Sequence, residues 1–242
     1  MPQNAEPRAP NALFVTALIA LVFLPSGALL TNIGLIEFRL GLLLTAAAFL
    51  LGALVVVASL ILILFPNYAT QRLKLLLSTV CAAIPTMVAV SVFSASAGLP
   101  MIHDISTDIT DPPQFQAATA LRGEQSNPVE RNREIDEMQL AAYPNIKPLI
   151  TTAPSDKAFS RALQVAKDLG WDVHSTAEQS GLIEATFTSQ WFGFVDDIVI
   201  RVRPHESGGT QIDLRSVSRV GKGDLGANAK RIAAFTEAFN AD

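Results

Sequence analysis

The chain has 242 residues, of which 50% are hydrophobic and 17% are charged, and its formal net charge at pH 7 is −4. A soluble domain usually carries about 25% charged residues, so this composition predicts a membrane part beside a soluble one. The acidic balance and the lack of basic clusters exclude a nucleic-acid-binding function. Because Cys81 is the only cysteine, an intrachain disulfide and a cysteine-linked structural zinc site are excluded as well.

Three long apolar runs predict three transmembrane helices, over residues 12–30, 40–65 and 75–99. Each run can cross a hydrocarbon layer about 30 Å thick. None carries a charged side chain, and ion pumps and proton relays usually need one inside the membrane. We therefore expect residues 12–99 to form a three-helix transmembrane anchor rather than a transporter. Ala48 and Gly52 have the spacing of a contact face between helices.

Basic residues near the helix ends predict the orientation, because they favour the cytoplasmic side. Arg8, Arg72 and Lys74 share one side, whereas Arg39 alone lies on the other. We therefore expect a multi-pass protein of the bacterial inner membrane, with a cytoplasmic N-terminus and a periplasmic C-terminal domain. Residues 1–11, which are polar and contain three prolines, are expected to form a disordered cytoplasmic tail.

The rest of the chain divides into a connecting segment with a helix, residues 100–145, and an α+β domain, residues 146–242. Alternation of polar and apolar residues predicts strands at residues 146–151, 171–176, 182–189, 195–203 and 210–218. Helices are predicted over residues 128–142, 155–169 and 225–239. The order β-α-β-β-β-β-α in the domain predicts an antiparallel sheet with helices packed on one face.

The same alternation assigns each strand residue to a face of the sheet. The apolar set is expected to face the helices: Ile183, Ala185, Phe187, Ile198, Ile200, Val202, Ile212 and Leu214. The opposite face carries Glu184, Asp197, Arg201, Arg203, Asp213 and Arg215. With a hairpin turn near Ser207, Arg201 is expected across from Asp213. This face is either a solvated ladder of salt bridges or a polar surface that binds a ligand.

A glycine-rich turn, residues 221–226, joins the last strand to the last helix. Its pattern G-x-G-x-x-G occurs in dinucleotide-binding folds, where a parallel strand and an acidic residue follow the helix. That context is not found here, so we do not expect a dinucleotide site. Asp224 is placed to cap the helix N-terminus. Alternatively, the backbone N–H groups of the turn bind an anion with help from Lys222.

Asn228 falls in the apolar stripe of the last helix, with Leu225, Ile232, Phe235 and Phe239. A buried amide needs hydrogen-bond partners, so Asn228 either binds a loop carbonyl or faces a ligand. Arginine binds carboxylates and phosphates through two parallel hydrogen bonds. The candidate ligand- or partner-binding residues are therefore Arg201, Arg215, Arg219, Lys222, Asp224, Asn228 and Arg231.

A second candidate site lies just after the third apolar run. His103, Asp104, Asp108 and Asp111 offer a nitrogen and carboxylate oxygens to a metal ion, although their spacing matches neither an EF-hand loop nor H-E-x-x-H. Asp, Ser and Thr before Pro-Pro are also common turn-formers, so a hydrogen-bonded loop is the alternative. No G-x-S-x-G motif occurs, and we assign no catalytic residue and expect no cofactor.

Six motifs follow one another between residues 101 and 240: IHDISTD with DPPQF, YPNIKPL, LGWDV, IEATFTSQWFGFVDDIVIRV and RSVSRVGKGDLGANAKRI. In this order they resemble a family catalogued as a domain of unknown function, DUF1499, and the apolar runs resemble those of its membrane-anchored bacterial members. The resemblance implies no reaction, substrate or cofactor. The positions that match the family's motifs are His103, Asp104, Asp108, Trp191, Asp196, Asp197, Arg201, Arg215, Ser218, Arg219, Asp224, Asn228 and Arg231.

These features predict a membrane-anchored extracytoplasmic binding or assembly module rather than an enzyme. It would be an accessory subunit of a membrane protein complex, or a domain that binds an anionic ligand or lipid. The expected partners are membrane lipid and either a membrane-protein complex or a second copy of the chain. The alternative is a metal-dependent membrane-bound hydrolase that uses residues 103–111.

Overall fold

The computed structural model describes residues 8–241. The chain divides into two compact units. The helical unit comprises residues 8–97 together with Gln190–Gly193, and the C-terminal unit comprises residues 98–189 and 194–241. Of the tail expected at residues 1–11, the first seven residues lie outside the described part, and Ala9 already begins a helix.

The helical unit contains helices α1 (Ala9–Asn32), α2 (Phe38–Leu62) and α3 (Arg72–Ser96). Within residues 8–241, three helical segments are long and apolar enough to cross a membrane, as predicted. Pro25 and Pro85 lie inside α1 and α3, and both helices continue through them. Neighbouring helices and side chains in a membrane bundle can satisfy the backbone groups that a proline frees.

Small residues let these helices approach closely. A methyl group added to Gly52 in α2 would lie 2.9 Å from Cγ of Pro85 and 3.0 Å from the carbonyl oxygen of Ala82, both in α3. A methyl group on Gly41 would clash with Thr31 of α1. Ala48 is fully buried. Gly52 therefore lies at a close contact between α2 and α3, and Ala48, one turn earlier in α2, is buried, in agreement with the predicted contact face.

The C-terminal unit is an α+β fold. Its strands are β1 (Asp104–Ser106), β2 (Leu149–Thr151), β3 (Asp172–Ala177), β4 (Leu182–Thr188), β5 (Val195–Pro204) and β6 (Thr210–Ser218). Its helices are α4 (Ala118–Leu121), α5 (Glu134–Ala142), α6 (Ser155–Asp168) and α7 (Ala227–Asn240). In the part of the chain described, the strands form one antiparallel sheet in the order β1-β6-β5-β4-β3, with β2 also paired to β6.

The predicted order β-α-β-β-β-β-α is correct from β2 to α7. The apolar faces of the strands form one core with α6 and α7, which includes Ile198, Leu214 and Phe235. The predicted pairing of Arg201 with Asp213 is also correct. Alternation in long strands therefore located both the sheet register and the face that packs on the helices.

The segment before residue 146 differs from its prediction. It supplies strand β1, which pairs with β6 through Asp104 and Val217, so residues 100–145 belong to the same compact unit as the sheet. The helix expected to start at Pro128 begins only at Glu134. A strand of three residues is too short for alternation to reveal it, and its burial pattern does not alternate.

Candidate functional site

The polar face of the sheet is covered by protein. Glu184, Asp197, Asp213 and Arg215 are all buried, beneath a segment that runs from the end of β1 towards α5, residues 107–133. We call this segment the cover. A small apolar cluster that includes Phe115 of the cover packs on Val199 and Val217 of the sheet, as hydrophobic burial favours. The interpretation as a solvated ladder is therefore wrong.

Glu184 shows how the cover is attached. Its carboxylate accepts hydrogen bonds from the backbone N–H groups of Gln116, Ala117 and Ala118, at 2.8–2.9 Å. These donors lie at the start of the short helix α4, where N–H groups lack partners within the helix. Three hydrogen bonds from consecutive residues to one buried carboxylate hold this part of the cover on the sheet, so Glu184 is a structural residue.

Asp104 and Arg215 form a buried ion pair. Two parallel hydrogen bonds join them, Nε to Oδ1 at 3.0 Å and Nη2 to Oδ2 at 2.8 Å. The guanidinium also donates to the carbonyl oxygens of Pro113 and Val129 in the cover and stacks over the Phe115 ring, 5.3 Å from its centroid. Arg215 therefore connects β1, β6 and the cover through one side chain.

Arg131 completes the group around Asp104. Its Nη1 donates to Oδ1 of Asp104 at 2.8 Å, and its other donors reach Asp136 and Gln139. Gln139 exchanges two hydrogen bonds with the backbone of Ser106 in β1. The buried polar atoms of this region are thus paired with one another, as the low dielectric of an interior requires.

Asp197 is shared by two arginines. Arg219 approaches its carboxylate at 2.8 Å, and Arg122 of the cover approaches it at 2.5 Å. Asp197 is fully buried, and its single negative charge faces two positive ones. Burial lowers the pKa of Arg122, an effect that the Asp197 carboxylate opposes. The remaining donors of the two arginines reach the carbonyl oxygens of Leu121 and Asn127.

Asp196 and Arg231 pair at 2.6 Å. Arg231 also donates to Oδ1 of Asn228 and stacks over the Phe187 ring. Asn228 is fully buried, accepts a hydrogen bond from Ser216 and donates to Ser218 and to the carbonyl oxygen of His103. Asn228 therefore binds a loop carbonyl, the first of its two interpretations. Its amide oxygen accepts two hydrogen bonds and its amide nitrogen donates two, so neither is available to a ligand.

A partly exposed cluster lies where the cover begins. Arg201 and Arg203 contact Asp108, Asp111 and the buried Asp213 at 2.9–3.4 Å. Asp108 also accepts the backbone N–H groups of Thr110 and Asp111 in a turn.

The metal interpretation does not fit this arrangement. Asp104 binds Arg215 and Arg131, whereas Asp108 and Asp111 bind Arg201 and Arg203. Nδ1 of His103 lies 3.4 Å from the carbonyl oxygen of Lys222. Among the residues that the structure describes, no three His, Cys, Asp or Glu side chains are grouped as metal ligands. The hydrogen-bonded loop is the correct alternative, because guanidinium groups occupy the carboxylate oxygens.

The glycine-rich turn presents a different surface. Asp224 accepts hydrogen bonds from the N–H groups of Gly226 and Asn228, both at 2.8 Å, so its carboxylate occupies the donors at the start of α7. The N-cap residue itself is Gly226, since α7 begins at Ala227. The prediction of Asp224 as the N-cap is therefore wrong by two residues, although its carboxylate does bind the first turn of the helix. Leu225 was expected in the buried stripe of α7, but it is 55% exposed and has a positive φ of 53°.

Tyr143 lies beside this turn. Its hydroxyl is 3.4 Å from the position that a methyl group on Gly226 would take. Within the described chain, this hydroxyl is buried without a hydrogen-bond partner. Burial, and to a lesser extent the negative charge of Asp224, raise the pKa of Tyr143.

The candidate binding residues thus separate into two sets. Arg201, Arg215, Arg219, Asp224, Asn228 and Arg231 all have protein partners, whereas the Lys222 side chain is exposed on the turn. The sequence interpretation missed Glu184 as an anchor for the cover, and it missed Arg122 and Arg131 altogether. One signal could have found these two arginines. A buried aspartate on a strand face needs a cationic partner, and the segment before the sheet contains basic residues that could supply it.

The C-terminal unit is thus an α+β domain, with helices packed on one face of its sheet and a cover held by ion pairs on the other. The same chain contains three long apolar helices. The model of the family described as "Protein of unknown function (DUF1499)" matches residues 104–239, more than half of the chain. The chain belongs to this family. A search of curated proteins found no match.

Proposed function

We propose that this protein is a membrane-anchored, non-catalytic binding or assembly module, and that the glycine-rich turn is its binding surface. The motif charges that would suit catalysis bind one another instead, as Arg215 with Asp104 illustrates. The turn, in contrast, exposes side chains that the fold does not use. The observation that carries the proposal is the conformation of Leu225, which has a positive φ and an exposed side chain.

Leu225 has two properties that stability alone does not favour. A non-glycine residue in the left-handed region costs roughly 1 kcal/mol or more, yet Leu225 has a φ of 53°. Its side chain is also exposed, and Met101, 68% exposed, lies against the same turn beside Gly223. With Lys222 next to them, these apolar side chains fit a surface that is both apolar and anionic, such as an acidic segment of a partner protein or an anionic lipid headgroup.

The test compares Leu225→Asn with Leu121→Asn, because Leu121 is similarly exposed but lies in α4. Asparagine tolerates a positive φ better than leucine, so Leu225→Asn should melt at the same or a higher temperature than wild type. It should nevertheless lose protein or lipid that co-isolates with the wild type in polymer-bounded native membrane discs, measured by mass spectrometry. Leu121→Asn should lose nothing. Equal recovery from both variants and wild type would disprove the role of the turn.

We further propose that the C-terminal domain is periplasmic in a bacterial inner membrane, because Arg72 and Lys74 favour a cytoplasmic location for the link between α2 and α3. In a Cys81→Ala background, a cysteine at Ser207, in the exposed β5–β6 turn, should react with a membrane-impermeant maleimide in intact spheroplasts. A cysteine at Thr70, exposed in the α2–α3 link, should react only after permeabilisation. The reverse labelling pattern would invert the topology.

A further inference from the structure

We infer that Trp191 anchors the turn after β4 in the headgroup region of the membrane that the helices cross. The ion-pair network on the covered face of the sheet does not use this tryptophan. Trp191 is 67% exposed. A large aromatic side chain is normally buried or placed at a boundary between apolar and aqueous surroundings. The exposure of Trp191 therefore indicates that another surface covers its ring.

The turn that carries Trp191 is built to present it. The backbone N–H of Ser189 donates to the carbonyl oxygen of Phe194 at 2.8 Å, and the Ser189 hydroxyl accepts the N–H of Phe194 at 2.9 Å. These two hydrogen bonds close the turn at its base. Gly193 has a φ of +67°, a conformation that glycine adopts without steric cost.

The unit to which the turn belongs indicates what covers the Trp191 ring. Gln190–Gly193 are part of the compact helical unit. Within that unit, the side-chain amide of Asn32 donates to the carbonyl oxygens of Gln190 and Trp191, at 2.6 and 3.2 Å. Asn32 is the last residue of α1, which has 24 residues. At 1.5 Å per residue this helix is about 36 Å long, slightly more than the roughly 30 Å hydrocarbon layer.

The end of α1 therefore lies at headgroup depth, and Trp191 lies with it. The link from α1 to α2 also has a composition that suits the membrane interface. It exposes the apolar residues Ile33 and Leu35, and the charged pair of Glu37 and Arg39 follows them. Tryptophan is enriched at this depth in membrane proteins. The bilayer interface is thus the surface that would cover the Trp191 ring, and no partner protein is needed.

The sequence offers a direct test, since Trp171 is the other of only two tryptophans and is buried against Phe235. The full chain with Trp171→Phe is reconstituted in vesicles of phosphatidylcholine and phosphatidylglycerol, with bromine either near the carbonyl end or near the methyl end of the acyl chains. Trp191 fluorescence should be quenched most strongly by bromines near the carbonyl end of the acyl chains and least by aqueous iodide. Trp191→Phe, which retains only Trp171, should lose little emission to either.

Strong quenching by iodide with no loss to either brominated lipid would overturn the inference, as would stronger loss to the deep bromines. If Trp171→Phe fails to fold, the Trp191 contribution is the difference between the wild-type and Trp191→Phe spectra, and the same criteria apply. The result is independent of the glycine-rich turn: loss of partner recovery by Leu225→Asn tests the proposed function, whereas lipid quenching tests only the position of Trp191.

Discussion

Replacing Arg215 with methionine should lower the free energy of unfolding of the C-terminal domain by about 3–5 kcal/mol, because removal of one partner leaves a buried charge poorly compensated. Arg215 is fully buried. Its loss would remove one of the two guanidinium groups described at Asp104, leaving Arg131, and would remove the donors to Pro113 and Val129. Methionine retains much of the apolar volume, so the electrostatic loss should dominate the result.

The measurement is denaturant unfolding of the full chain in detergent, followed by Trp171 emission in a Trp191→Phe background. Arg203→Met is the matched control, since Arg203 lies on the same sheet face but is partly exposed and should cost no more than about 1 kcal/mol. The double variant Arg215→Met with Asp104→Asn should be more stable than the sum of the two single effects predicts. A change below about 1 kcal/mol for Arg215→Met would mean that this pair does not hold the cover on the sheet.

The parts of the fold that the sequence predicted correctly are those with a long periodic signal. Strands β4, β5 and β6 have seven to ten residues, enough for alternation to define both faces. The Ser207–Gly208–Gly209 turn then fixed the register that places Arg201 opposite Asp213. Helix α6 was predicted within one residue, because its apolar residues recur with helical spacing and Gly170 follows it.

Alternation could identify the polar face of the sheet but could not show what covers that face. Six charged residues on one side of a sheet suggest contact with water, since charges are rarely buried without partners. Here the partners come from irregular chain: Arg122 and Arg131 lie in the cover, in a stretch without periodicity. The covering segment therefore resembled a connecting segment, and β1 was missed with it.

The same limit explains the site predictions. His103, Asp104, Asp108 and Asp111 are close in sequence, which suggested ligands for one metal ion. The chain turns between Asp104 and Asp108, and different arginines bind the two carboxylates. Which cation meets which carboxylate depends on long-range pairing, and no local pattern encodes it. Leu225 shows a different limit. Residue type favours a negative φ and a buried side chain for leucine, so neither its positive φ nor its exposure could be inferred from the sequence.

Asp197→Ala should be nearly as destabilising as Arg215→Met, for a different reason. Removing this fully buried carboxylate leaves Arg122 and Arg219 as two like charges without a counter-charge between them. Loss of one member of a buried ionic group typically costs about 3–5 kcal/mol. Asp197→Asn should cost less, since an amide oxygen still accepts a hydrogen bond although the negative charge is gone.

Salt dependence separates a buried group from a solvated one. Exposed ion pairs contribute about 0–1 kcal/mol and weaken as salt screens them, whereas buried pairs are screened much less. The loss caused by Asp197→Ala should therefore persist in about 1 M sodium chloride, where the Debye length is about 3 Å. Asp172→Ala, at an exposed position of β3, is the control and should have little effect at any salt concentration. If the effect of Asp197→Ala is small at low salt and disappears at high salt, the polar face is solvated and the cover does not seal it.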